Sequence, residues 1–155
     1  MDKVKFNEIL ESMGSIGSFM RIEVLKGQEP LAFAEIPPGD GDPAHQVYVI
    51  TKEKLIGASA NQEDGFMMYK SLLLNNILEY EYGKIPVLDQ VATKALLKIK
   101  FLGPSEVAIE STENSSEKAS ERHKTIVQGI DNLESQLRKL TKNQRTSTAG
   151  GTLQH

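Results

Sequence analysis

Phe6, Ile9, Leu10 and Met13 fall at i, i+3, i+4 and i+7, the spacing that gathers apolar side chains into one stripe of a helix. This predicts a first helix, ended by Gly14 and Gly17. From Phe19 to Leu25 the pattern alternates, with Met20, Ile22 and Val24 on one face and Arg21 and Glu23 on the other, which predicts a half-buried strand. Lys26 to Pro30 turns the chain. Leu31 to Ile36 reads as a second strand, stopped by Pro37-Pro38 because proline cannot donate to a sheet ladder. The loop from Pro37 to Pro43 has no apolar anchor. Gln46 to Thr51 and Lys54 to Ser59 are strand formers around the polar pair Lys52-Glu53, which is hairpin spacing. Asp64 is placed to cap a helix through Phe66, Met67, Tyr69, Lys70, Leu73 and Leu74 that stops at Asn75-Asn76. Ile77 to Tyr82 alternates as another strand. After Pro86, Val87, Leu88, Val91, Ala95, Leu96 and Ile99 predict a further helix.

The expected order is helix, two strands, loop, hairpin, helix, strand, helix. The predicted fold class is α+β: a small, mostly antiparallel sheet covered by helices, with a C-terminal polar linker and a short coiled-coil helix. Near Leu102-Gly103-Pro104 the composition shifts from aliphatic and β-branched to Ser, Glu, Lys and Thr. Residues 1–103 are therefore read as the globular domain and 104–123 as a polar linker, with Glu106 to Ile109 able to add a last strand. In residues 124–142, Ile126, Ile130, Leu133, Leu137 and Leu140 are spaced four, three, four and three apart, the seam of a coiled coil. The seam spans about two heptads, fewer than the three or four that sustain a coiled coil. Gly129 within it costs about 1 kcal/mol relative to alanine. Such a helix needs a partner: a second copy, which would make a homodimer, another protein, or the parent domain. Residues 143–155 have nothing to bury and are expected to be disordered.

The 155 residues carry 18 Lys and Arg against 21 Asp and Glu, a formal charge of -3. That excess of acid gives no general pull toward nucleic acid or anionic lipid, so neither is expected as a partner. The chain has no cysteine, which removes disulfides, thiolate metal sites and thiol nucleophiles. No apolar run approaches the roughly 18 residues of a membrane span. Residues 1–10 lack the apolar core of a secretory signal. A cytoplasmic location is expected.

No catalytic, cofactor or metal constellation emerges. His45, His123 and His155 lack the i, i+4 pairing of a helical metal site and are expected to be exposed. Asp40 and Asp42 lack the further ligands of a calcium loop. Glu79 and Glu81 share a strand face that reads as solvated. Gly14-Ser15-Ile16-Gly17 has no following Lys-Ser/Thr and runs helix to strand, the reverse of a phosphate loop. Lys94, Lys98 and Lys100 form a mild basic stripe without aromatic partners for stacking. Met20 and Met67-Met68-Tyr69 are either core or an adaptable binding surface, since methionine repacks readily.

The phrase Lys54-Leu55-Ile56-Gly57-Ala58-Ser59 closes the hairpin. Glu63-Asp64-Gly65-Phe66 opens the following helix, and Leu78-Glu79-Tyr80-Glu81-Tyr82 forms the closing strand. Together with Phe6-Asn7-Glu8-Ile9-Leu10 and Gly17 to Ile22, this series resembles the PATAN domain and related archaeal domains of unknown function, over about Lys5 to Leu102. The resemblance implies a non-catalytic interaction module of prokaryotic signalling proteins and supplies no catalytic residues. Gly57, Ala58 and Gly65 are structural candidates; Gly57 and Ala58, being small, are expected to seat the helix over 64–74. The functional expectation is a protein-protein interaction or signalling adaptor, not an enzyme, that oligomerises or docks through Ile126, Ile130, Leu133, Leu137 and Leu140. Two alternatives are a roadblock or longin-like regulator of small GTPases, whose usual element order differs, and a small-molecule sensor with a pocket near Tyr48, Met68 and Tyr80.

Overall fold

The computed structural model describes residues 1–38, 44–61, 63–85, 94–111 and 121–152. Contacts divide the chain into two units, Met1–Leu72 and Leu73–His155. The fold is α+β with two small antiparallel sheets, one ordered β1 (Ala32–Ile36), β2 (Ala44–Ile50), β3 (Lys54–Asn61), β4 (Met67–Leu73) and one ordered β5 (Ile77–Ile85), β6 (Lys94–Phe101), β7 (Glu106–Ser111). The boundary falls earlier than the one expected at residue 103, near the end of β4, where the first sheet gives way to the second.

The first unit begins with α1 (Lys3–Ser12), whose N-cap Asp2 accepts a hydrogen bond from the Lys5 backbone N–H. That satisfies one of the donors a helix start leaves open. As the stripe predicts, Phe6, Ile9, Leu10 and Met13 are buried. Gly14, at φ 61°, ends the helix. Residues 19–25 are not a strand: α2 (Ser15–Phe19) continues into a turn of π-helix, Met20–Val24. The inward positions are Gly17, Met20, Val24 and Leu25, a helical spacing. The alternation that suggested a strand instead leaves Ile22 in solvent.

Beyond the helices come β1 (Ala32–Ile36), β2 (Ala44–Ile50), β3 (Lys54–Asn61) and β4 (Met67–Leu73). The hairpin has the expected register, Val47 opposite Ala58 and Val49 opposite Ile56. Thr51 closes its turn, donating its N–H to the Lys54 carbonyl and accepting the Lys54 N–H on Oγ1. Val47, Val49, Ile56, Ala58 and Ala60 pack with Phe6, Ile9, Leu10, Met13, Met20 and Leu25 in one core. Ala58 therefore seats the N-terminal helices. The helix expected over 64–74 is strand β4 followed by a single 3-10 turn, Leu74–Asn76. Gly57 makes room for an aromatic ring: a Cβ there would meet the Tyr48 ring at 3.1 Å.

The second unit is a meander of β5 (Ile77–Ile85), β6 (Lys94–Phe101) and β7 (Glu106–Ser111), followed by α3 (Glu121–Thr152). The helix expected after Pro86 is corrected: residues 94–101 form a strand in which Ala95, Leu97, Ile99 and Phe101 are all buried. Residues 86–93 and the Asp40-Asp42 loop lie outside the described residues, as do 112–120 of the expected linker and 153–155 of the expected tail. The first part of that linker is β7, and the backbone of residues 143–152 continues α3. Ile126, Ile130, Leu133 and Leu137 are buried, Leu140 is half-buried, and α3 packs on β6 and β7. The seam expected to dock a partner is thus occupied within the chain, by the sheet that its own unit supplies. Among the described residues no helix is long and apolar enough to cross a membrane.

Candidate functional site

The most distinctive surface of the first unit is built around β4. The turn before it is closed by short-range polar groups. Asn61 Oδ1 accepts the Glu63 N–H and Asp64 Oδ1 accepts the Phe66 N–H, each at 2.9 Å. Gly65 takes φ 74° and donates its N–H to the Asn61 carbonyl. A positive φ of this kind strains any residue with a Cβ, which explains glycine there. Asn61 N–H to Phe66 carbonyl, at 2.8 Å, then starts the approach of β4 to β3.

β4 is last in its sheet, so one side of its backbone has no strand neighbour among the described residues. Met67 turns inward and packs on the core. The Tyr69 ring lies 6.4 Å from that of Phe19, tilted by 56°, within the range where aromatic pairs attract. Phe19 and Tyr69, 44% and 50% exposed, thus form an aromatic pair, while Met68, 63% exposed, falls on the opposite face of the strand, and Phe66 and Ile22 are also exposed. Single exposed apolar residues are ordinary, whereas a group of them on an open strand marks an interaction surface. Lys70 is the lone charge of the strand. Of the residues read as either core or an adaptable surface, Met20 and Met67 belong to the core, while Met68 and Tyr69 are exposed. Phe19 and Ile22 were missed because they had been placed in a strand.

Other polar groups converge less. His45 is buried, not exposed, with Nε2 2.6 Å from Glu35 Oε2 across the β1–β2 pair. His123 is also buried, on the inner side of α3 with Ile126, Val127 and Ile130. His155 lies outside the described residues. In the second unit the Lys84 ammonium lies 2.7 Å from Asp131 Oδ2, and the Tyr82 hydroxyl donates to Asp131 Oδ1. Burial and then the neighbouring charge of Glu134 push the Asp131 carboxyl above its usual value. This group joins α3 to β5.

The predicted basic stripe is on the outer face of a sheet rather than a helix. Lys100 pairs with Glu79 at 3.3 Å and Lys98 with Glu106 at 3.5 Å, so its charge is largely matched. Tyr48 and Met68 lie in the first unit, separated by β3, and Tyr80 belongs to the second. Among the described residues no group of three or more His, Asp or Glu is placed to hold a metal ion. Compared with known protein-family models, curated proteins and solved structures, the chain matches none.

Proposed function

We propose that the chain is a non-enzymatic protein-interaction module, an adaptor of the cytoplasm, whose first unit takes an extended segment of a partner protein onto the open edge of β4. The observation that carries this reading is the exposed Phe19–Tyr69 pair and the exposed Met68 on a strand whose outer edge has no strand neighbour among the described residues. An added strand gains affinity from main-chain hydrogen bonds and specificity from alternate side-chain positions. Here Phe19 and Tyr69 offer an aromatic step for one face, and Lys70 favours an acidic side chain opposite it. The resemblance to PATAN-like domains, drawn on residues 6–10, 17–22, the β2–β3 hairpin, a helix after Asp64 and the strand over 78–82, supports an interaction role through α1, the hairpin and the last strand alone, since 17–22 is helical and the expected helix is β4.

Docking through the Ile126 to Leu140 seam, as a coiled coil or otherwise, requires α3 to leave β6 and β7. That step exposes the buried Ile126, Val127, Ile130, Leu133 and Leu137 and makes the seam the weaker candidate.

A photo-reactive amino acid at position 69, compared with one at the exposed Lys139, tests the proposal. The expected result is a discrete adduct from position 69 in cells, absent from position 139 and abolished by Met68→Lys without a fall in melting temperature. No adduct particular to position 69, or one indifferent to Met68→Lys, overturns it.

A further inference from the structure

A second surface of the first unit lies on the side of α1 facing the segment after the π-turn. It is a cavity of about 290 Å³ between α1 and residues 25–30. Phe6, Leu10 and Leu25, all buried residues of the core, supply an apolar floor. Five polar side chains line the same space: Lys3, Asn7, Arg21, Gln28 and Glu29. Their hydrogen-bonding states are unequal. Gln28 Oε1 is buried and accepts no hydrogen bond from the described residues, a rare and costly condition for a carbonyl oxygen. Arg21 donates to Asn7 Oδ1 at 3.4 Å, which engages one of the five N–H groups of its guanidinium. Glu29 is paired with Lys3 at 2.9 Å. The hydrogen bond from that ammonium, then its charge, lowers the Glu29 carboxyl from its usual value and keeps it ionised.

These groups define a ligand by complement. With Lys3 engaged by Glu29, Arg21 is left to meet one anionic group, and its planar fork suits a carboxylate. The negative Glu29 disfavours a ligand of high negative charge such as a nucleoside polyphosphate. The unmatched Gln28 oxygen calls for an N–H donor, which the carboxylate of Glu29 reinforces if the donor is cationic. The floor calls for a compact apolar body. We propose that this cavity binds a free α-amino acid with an apolar side chain: carboxylate toward Arg21, ammonium toward Gln28 and Glu29, side chain on Phe6, Leu10 and Leu25. The site is independent of β4, and neither reading depends on the other.

Titration calorimetry of the full chain with leucine, phenylalanine and leucinamide tests it, leucinamide lacking the carboxylate. The expected result is saturable binding of leucine or phenylalanine, with leucinamide at least tenfold weaker. Arg21→Gln, at an exposed position, should lose tenfold or more in affinity while keeping the melting temperature. Gln28→Met should also weaken binding, yet leave the unliganded protein as stable or more so, because it removes the unmatched oxygen. The proposal is overturned by no saturable heat with either amino acid, by equal binding of leucinamide, or by an Arg21→Gln variant that binds as the parent does.

Discussion

A Cβ placed on Gly17 would lie 1.7 Å from the carbonyl oxygen of Leu10, so α2 rests against the backbone of α1 at a distance that only glycine permits. The obstructing atom is main chain and cannot turn aside. Gly17→Ala is therefore expected to destabilise the first unit by about 3 kcal/mol, the upper end of ordinary overpacking. Urea unfolding measures this. Gly83→Ala is the control, since a Cβ there meets nothing within 4 Å, and its change should stay within about 0.5 kcal/mol.

Ala58 sits in the same core under α1. Ala58→Leu should cost about 1–3 kcal/mol by forcing the sheet and the helices apart, whereas Ser59→Leu, one residue on and facing solvent, should cost little. Equal melting temperatures for the two variants would remove Ala58 from beneath the helices.

Leu133 distinguishes a seam covered within the chain from one covered by a second copy. It is fully buried in the second unit, so Leu133→Ala should lower stability by about 2–5 kcal/mol. Because the covering surface is in the same molecule, the melting temperature of parent and variant should not change with protein concentration. A dimer-dependent seam would show a rise on concentration.

Asp131 gives the second unit a pH dependence of definite sign. Its carboxyl is raised in the fold by burial and then by Glu134, against the pull of the Lys84 ammonium 2.7 Å away, so the folded state favours the protonated form. The stabilisation this provides is complete below the unfolded carboxyl value and is lost as pH rises through the raised folded value. Stability measured across that interval should fall for the parent relative to Asp131→Asn, which keeps an acceptor for Tyr82 and does not titrate. Parallel pH profiles for the two proteins would contradict this assignment.

The parts of the fold that were legible in sequence are those where one face alone is buried. In α1 the stripe from Phe6 to Met13 is buried while its polar neighbours face water, and the β2–β3 hairpin has a run of strand formers on each side of a polar pair. The second helical segment was misread because Gly17 does not register in a scan for apolar spacing, although it carries the closest contact in the unit. In β6 the buried set Ala95, Leu97, Ile99 and Phe101 has period two, but the exposed Leu96 turned it into a continuous apolar run that also fits a helix. β4 has most of its residues in solvent, so no buried face imposed a period, and Phe66, Tyr69 and Leu73 fell by chance at helical spacing. The apolar surface proposed for partner binding was hidden for the same reason, with Met68 and Tyr69 as its only sign. The cavity beside α1 depends on Arg21 and Gln28, which no local pattern relates.

Lys70 gives β4 a further consequence, concerning solubility. The strand reads Met-Met-Tyr-Lys-Ser-Leu-Leu, an apolar segment of high strand tendency interrupted by a single charge on an open edge. Such a segment is a template for cross-β stacking once its charge is gone. Acetylation of Lys70, or its replacement by valine, would leave seven uncharged residues able to add copies of themselves without limit. One ammonium group is the single charge separating a strand suited to receiving a foreign strand from a wholly uncharged one.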